Sequence, residues 1–494
     1  MESFIQTDVH WIDLVLIFSY LIGISVFGYY FHRKIHTSKD YFLAGRSLPW
    51  WVIAMSIIGT NIGSNDYVGA AGNAFRIGIA QANFEWIGAI PAMILSALIF
   101  IPFYWRAGVY SIPEYLGRRY NSPVRFISAV VLTLFSIVIV GVFHWSTALM
   151  LKMYLGWPVW FSILITAGVS GFYTVTGGTE AVAYTDAIQV GLMFFGAICV
   201  AVIGIDRAGG LDAFVTTLQT RFPDHLNAFL PADHQSFPWP GVILGLSLVM
   251  SPAYWCANQA ILQRTMAARS EWDARGSMIF AALAKTVVPF LIVLPGLIAL
   301  VMVQGELERS DQALPWVVKN ILPPGISGIM FVAFIAALQS SISSTLNSTS
   351  VMIVRDIIGV ASKKGMEDKQ ELKWGRFFTL MVLVVGVFSA PLTTMFEGIY
   401  VFVQYALSLF QGPIFALICL GILYRRGTAA AGMWSLMTGL IFASILGYLG
   451  LNMLYIAFFS FIFSIAALIL VSQFTVEKTD EELVNLTYRK TVKL

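Results

Sequence analysis

The 494-residue sequence predicts an all-α integral membrane protein of about thirteen transmembrane helices, in which two five-helix groups repeat with inverted orientation. Three observations predict it. The chain is 58% hydrophobic and only 12% charged, outside the range of soluble domains. Its apolar runs are long enough to cross a bilayer and recur roughly every 25 to 40 residues, leaving no room for an appended soluble domain. Two of those runs are interrupted mid-way by helix-weakening residues, each in the first helix of a five-helix group. The net charge of +3 is small and gives no reason to expect nucleic acid or an acidic partner.

Residues 1–48 read as an outer N-terminus, an extra first helix and a loop. The apolar stretch 11–31 is followed by His32-Arg33-Lys34 and preceded by neither a basic segment nor a small-residue cleavage site, so it reads as a retained span. Residues 49–206 hold five spans, near 49–75, 79–105, 122–152, 157–176 and 179–206, and residues 207–239 form an outer loop. Residues 240–424 hold five more, near 240–263, 270–303, 325–358, 374–394 and 396–424. Two last spans, near 428–448 and 451–472, fill residues 425–472, and 473–494 form a tail. Alternate loops are basic: Arg33, Lys34 and Lys39, then Arg118, Arg119 and Arg125, then Arg264, Arg269 and Arg275. Lys363, Lys364, Lys369 and Lys373 follow, then Arg425 and Arg426, and the tail has Arg489, Lys490 and Lys493. The positive-inside rule makes these loops cytoplasmic, with the N-terminus outside and the tail inside the cell membrane. Cys199, Cys256 and Cys419 lie in apolar runs without ligand spacing and suggest no disulfide framework.

The first interruption is Ile58-Gly59-Thr60-Asn61-Ile62-Gly63-Ser64-Asn65-Asp66, and the second is Ser251-Pro252-Ala253-Tyr254-Trp255, where proline frees a carbonyl. An odd number of spans separates them, so the second group starts on the opposite side of the membrane and must be inverted. Non-helical backbone at this depth persists only where it lines a cavity or is buried in protein. Two independent kinks are the alternative, and they would leave Asn61, Asp66 and Tyr254 without a purpose.

The run from Ala336 to Thr349 is dense in hydroxyls inside an apolar span, and Ala337, Ser340, Ser341, Ser344 and Asn347 share one helical face. That face is either a small-residue packing surface or a cation site whose neutral oxygens replace the hydration shell of a hard monovalent ion. Asp66, Glu85 and Lys285 are ionisable groups inside apolar spans, functional by default unless they form a structural ion pair. His144, beside Trp145, reads as a structural histidine facing the bundle. No phosphate-cradling Gly-rich loop, metal-ligand spacing or Ser-His pair supports ATP coupling or an enzyme.

Several short motifs carry a family resemblance. They are Asp40-Tyr41-Phe42-Leu43-Ala44-Gly45-Arg46, Asn61-Ile62, Phe84-Glu85-Trp86 and Ser111-Ile112-Pro113-Glu114-Tyr115-Leu116, then Gly177-Gly178 and Tyr184-Thr185-Asp186-Ala187-Ile188-Gln189. Asn258-Gln259, Gln263-Arg264-Thr265, Lys285 with Val288-Pro289-Phe290, and the Ser340 to Ser348 run complete the set. In these residues the chain resembles the sodium/solute symporter family, most nearly its sodium/sugar (glucose, galactose, inositol) cotransporter branch. The resemblance implies the leucine-transporter-type five-plus-five inverted repeat with broken first and sixth repeat helices. It implies a sodium site from the carbonyls of Gly59, Ile62 and Ala337 and the hydroxyls of Ser340 and Ser341. It further implies a substrate site from Asn61, Asp66, Glu85, Tyr254, Trp255, Lys285 and Gln404, with Tyr254 similar to an inner gate. Members thought to use two ions carry a hydroxyl at the position of Ser343, so Asp186, Ser343 and Ser344 beside Ser340 suggest a second sodium site. Otherwise Asp186 caps a helix end or binds an arginine. The chain departs from the branch at Asp66, where Gln or His is usual, and at Gly88 and Ser251.

The expected function is a secondary active symporter that uses the sodium (Na+) gradient to import a small neutral polar solute, a monosaccharide or polyol, by alternating access. Its partners are then sodium, the solute and the lipid bilayer. Rivals are another solute of the family (an amino acid, a vitamin, a nucleoside or sialic acid) and, from another class, a channel or membrane sensor. Two carboxylates against one lysine argue against an anion such as sialic acid.

Overall fold

The computed structural model describes residues 9–32, 37–63, 66–303, 307–362, 366–396 and 398–488. Among the described residues the regular structure is helical, with one isolated bridge between Leu48 and Ala268. Nine of these helices are long and apolar enough to cross a membrane, or up to ten with one bent pair taken as a single span. Ser64 and Asn65 of the first interruption lie outside the described residues, as do the basic Arg33, Lys34, Lys363, Lys364, Arg489, Lys490 and Lys493.

Helix α1 (Trp11–His32) is followed by α2 (Ser38–Leu43), whose start is a reciprocal cap: Thr37 Oγ1 accepts from Asp40 N at 3.1 Å and Asp40 accepts from Thr37 N at 3.0 Å. Helix α3 (Trp50–Asn61) ends because Ile62 leaves helical geometry (φ −81, ψ 79). The Gly63 amide, which would otherwise extend α3 onto Gly59 O, donates instead to Asn61 O and Asp66 Oδ2, both at 3.0 Å. The chain resumes in a wide turn, Asp66–Ala70, and α4 (Ala71–Ile77). The span read at 49–75 is thus two short pieces, one reason a length test finds fewer spans than the sequence does.

Three further wide turns share a cause. They cover Phe84–Ala89 and Ser96–Phe100 in α5 (Phe84–Ala107), and Val242–Met250 in the helix that begins at Trp239. Each ends two residues before a proline: Pro91, Pro102 and Pro252. Proline lacks the amide hydrogen and crowds the carbonyl four residues back, and a widened turn relieves both.

Next come α6 (Ile112–Arg119), α7 (Ser122–Leu155) and α8 (Val159–Arg207). Helix α8 runs together the spans read at 157–176 and 179–206, with Gly178 non-helical between them (φ 59, ψ −167), a conformation that favours glycine. The 207–239 segment contains α9 (Leu211–Arg221). Helix α10 (Trp239–Ala257) runs through the expected break at Ser251–Trp255 and stops at Asn258 (φ −71, ψ 115). Asn258 Oδ1 accepts from Ala260 N at 2.9 Å and caps α11 (Gln259–Met266). The proline therefore widens the helix and the asparagine breaks it.

The bent pair is α12 (Glu271–Ala284) and α13 (Val288–Met302), at 53°. Then follow α14 (Ala313–Asn320), α15 (Ile326–Ala361), α16 (Asp368–Met395), α17 (Ile399–Leu423), α18 (Ala429–Tyr448) and α19 (Met453–Ser472). Helix α15 is the axis of the bundle, with 89% of its most apolar window buried against α1, α3, α7, α8 and α16. Asp13 of α1 caps its start: Oδ1 accepts from Gly325 N (2.7 Å) and Gly328 N (3.0 Å), and Oδ2 from Ser327 Oγ (2.9 Å). At the chain's end the described part of the tail packs back on the bundle, where Tyr115 OH donates to Leu486 O (2.6 Å) and Tyr488 N to Ile422 O (2.8 Å). Arg119, read as a loop residue, is buried and donates to Gly421 O and Gly427 O, each at 2.7 Å, and to Tyr424 O at 2.9 Å, closing the open carbonyl end of α17.

Candidate functional site

Both helix breaks face one cavity. It leaves about 120 Å³ for the centres of water-sized molecules, far more than the ~10–15 Å³ that one water needs. Asn61 and Asp66 reach it from the first break, Tyr254 and Trp255 from the turn before the second, Glu85 from α5 and Gln404 from α17. Lys285 stands behind this wall, its Nζ 2.6 Å from Glu85 Oε2 and 5.7 Å from the centre of the Trp255 ring. Asn61 Nδ2 donates to Tyr254 OH at 3.3 Å, joining the two breaks directly. Asp66 receives the Gly63 amide, and among the described residues no basic side chain forms an ion pair with it.

Aromatic rings cluster beside the cavity. Phe84 meets Tyr400 at 4.9 Å and Phe237 of the 207–239 segment at 5.1 Å, both edge to face. Tyr254 also borders a second, more apolar cavity, which includes Leu132, Ser348, Met352 and Ile414. Phe135, Asn258, Thr345 and Gln411 also border both cavities.

Sequence reasoning missed Phe84, Tyr400, Asn258, Thr345 and Gln411 in the lining. A signal for part of this set was present: Tyr400, Val403, Gln404, Leu407 and Gln411 fall on one helical face and all line the cavity. Gly88 and Ser251 turn out to be complementary, because a Cβ on Gly88 would lie 2.5 Å from Ser251 Oγ. The small residue in α5 makes room for the hydroxyl in α10.

A second constellation lies where the last turn of α3 crosses α15 and α8. A Cβ on Gly59 would fall 3.0 Å from Ser340 Oγ, 3.6 Å from Asp186 Cβ and 2.9 Å from Val190 Cγ2, so only glycine allows this approach. Ser341 Oγ donates to Thr60 O at 3.1 Å across the same contact. Ala337, one turn earlier on α15, is fully buried, and Ile62 follows the last turn of α3. Ser340 Oγ and Asp186 Oδ1 are buried there without a well-formed hydrogen bond, the hydroxyl standing close enough to the carboxylate to act on it. Such unused oxygens are what a hard cation would take up.

The structure brings Asp186, Ser340 and Ser344 together but turns Ser343 Oγ back onto Ser340 O (3.1 Å). It also adds Arg264, expected in a basic loop and instead fully buried. Its Nη2 donates to Ser344 Oγ (2.5 Å) and lies 3.9 Å from Asp186 Oδ2, and its Nε donates to Ser56 Oγ (3.1 Å). Ser56 Oγ in turn donates to Asp186 Oδ2 at 2.5 Å. The break at Asn258 redirects α11 so that Arg264 points inward, where a carboxylate makes its burial tolerable. Tyr20 of α1 ties the neighbouring helices together, donating to Gln339 Oε1 (2.9 Å) and accepting from Gln189 Nε2 (2.8 Å). The spacing of Ser56, Gly59 and Thr60 on one face was a legible hint of this contact. His144 Nδ1 meets Val140 O on its own helix at 2.8 Å and takes no part in either constellation.

Comparison with known proteins places this geometry. A family model described as the sodium:solute symporter family matches residues 41–439. A sodium/glucose cotransporter of Vibrio parahaemolyticus is 31% identical, over 91% of this chain and 88% of the relative. A sodium/myo-inositol cotransporter 2 of Oryctolagus cuniculus is 30% identical, over 87% of this chain and 68% of the relative. Among solved structures, a Na+-coupled sialic acid symporter in a substrate-bound outward-open state shares the fold, with a TM-score of 0.87 and 23% identity over 96% of this chain and 99% of that one.

Proposed function

This chain belongs to the sodium:solute symporter family, and on that premise we propose that it is a multi-pass membrane symporter coupling sodium to the uptake of a monosaccharide or polyol by alternating access. The observation that carries the solute reading is the cavity between the two helix breaks, where Asn61, Glu85, Tyr254, Trp255 and Gln404 present amide and carboxylate oxygens, amide donors and ring faces together. Hydroxyl-rich rings need that mixture: oxygens accept from hydroxyls, amides donate, and an aromatic face covers the apolar side. The sugar and inositol cotransporters among its relatives support the same class. An excess of carboxylate over ammonium disfavours an anion.

In this reading Gly59, Ile62 and Ala337 carbonyls with Ser340 and Ser341 hydroxyls hold sodium where α3 meets α15. The bound ion would tie the first broken helix to the axis and stabilise one state of the cycle, because a site split between moving helices has different affinity in the two states. Asp186 and Ser344, joined by Ser343 once its hydroxyl turns from Ser340 O, would form a second sodium position, now engaged in part by Arg264, so a second ion enters as Arg264 gives way. About thirteen spans in two inverted five-helix repeats, flanked by one helix before and two after, fit the order of the elements, with broken spans counted whole. The basic loops support an outer N-terminus and a cytoplasmic tail.

The test is uptake of a labelled solute panel into proteoliposomes under an inward sodium gradient. Saturable, sodium-dependent accumulation of a sugar or polyol is expected. Accumulation confined to amino acids, vitamins or nucleosides would replace the solute class, and conductance without saturable uptake would replace the transporter reading with a channel.

A further inference from the structure

The cavity wall brings together two carboxyl groups, Asp66 and Glu85, and a single ammonium, Lys285, which acts on both. Glu85 and Lys285 satisfy each other at 2.6 Å, and among the described residues no basic side chain pairs with Asp66, which lines the same cavity. An ionised carboxylate whose nearest ammonium is already held by another carboxylate is expensive at membrane depth, and more so as water is displaced when the site closes. Its natural complement is a cation that arrives with the cargo. The rest of the wall is rich in aromatic residues, Phe84, Tyr254, Trp255 and Tyr400, whose kind attracts positive charge. Asn61 and Gln404 remain for hydroxyls.

We propose that the solute carries a protonated amine, as an amino sugar or amino polyol does, with its ammonium paired to Asp66 and its hydroxyls held by Asn61, Glu85 and Gln404. This rests on the reading of the cavity as the solute site. Asp66 is then the residue that selects charge, and Lys285 keeps Glu85 from competing for the ammonium.

The experiment compares sodium-driven uptake by the full chain in proteoliposomes for two matched pairs, glucosamine against glucose and ethanolamine against ethylene glycol, at neutral pH, where the amines are largely protonated. The parent should take up the amine of a pair at least about tenfold more efficiently, the effect of one charge-assisted contact. Asp66→Asn should abolish that preference and Asp66→Glu should keep it. Equal or better uptake of glucose by the parent overturns the proposal while leaving the sugar reading intact. An amine preference seen only with ethanolamine keeps the proposal and removes the sugar reading. No uptake of any of the four overturns the proposal, and the wider solute panel then decides the sugar reading. The parent's preference decides even if neither variant folds.

Discussion

Lys285 Nζ lies 2.6 Å from Glu85 Oε2, with the lysine side chain only 1% exposed and the carboxylate side chain 11% exposed at the cavity wall. The pair joins α5 to the segment between α12 and α13, so one contact both builds the wall and fixes the charge of the site. Removing either partner of a buried pair costs more than the pair itself contributes, because the other charge is stranded.

Glu85→Ala is therefore expected to raise the solute KM at least about tenfold and to lower thermal stability as well. Gln404→Ala, which strands no charge, should weaken solute affinity with little change in melting temperature. Uptake kinetics together with a thermal melt of purified protein separate the two. Parental KM in both variants would place the solute elsewhere.

Ser341→Ala should abolish sodium-dependent uptake while leaving expression intact. Its hydroxyl already bridges α15 to Thr60 O of α3 at 3.1 Å, where sodium would bind, and alanine offers no oxygen. A variant with parental sodium dependence of uptake would remove Ser341 from the site.

Asp186→Asn tests the second ion through the coupling ratio. Reversal potentials in vesicles should give more than one sodium per solute for the parent and a lower ratio for the variant. A ratio of one in the parent, unchanged by the substitution, would leave Asp186 as the structural partner of Arg264.

Asp13→Ala removes a cap from α15 and strands the Gly325 and Gly328 amides, at a cost of about 1 to 3 kcal/mol. The expected result is a lower melting temperature with an unchanged solute KM. Asp13→Asn, which keeps one acceptor oxygen, should lie between the two.

The all-helical membrane character, the first helix break and the hydroxyl face of α15 were legible because hydropathy and helical period are local properties, readable within one helix. The face that carries Tyr400, Gln404 and Gln411 could have been read by the same rule. The second break was misplaced for an equally local reason: proline signals a disturbed helix, yet a widened turn can absorb it, and the chain stops only where Asn258 supplies its own cap.

What the sequence by itself determined is that this chain lives in a bilayer, with glycines, serines and a few charges set at membrane depth. Only the tertiary structure decided which of those charges meet. Glu85 faces Lys285, Arg264 turns inward to Asp186 and Ser344, and Asp66 is left facing the cavity without a basic partner among the described residues. The physical reason is that the free energy of a buried charge belongs to a pair and depends on which helices face each other, which neither residue's local sequence encodes.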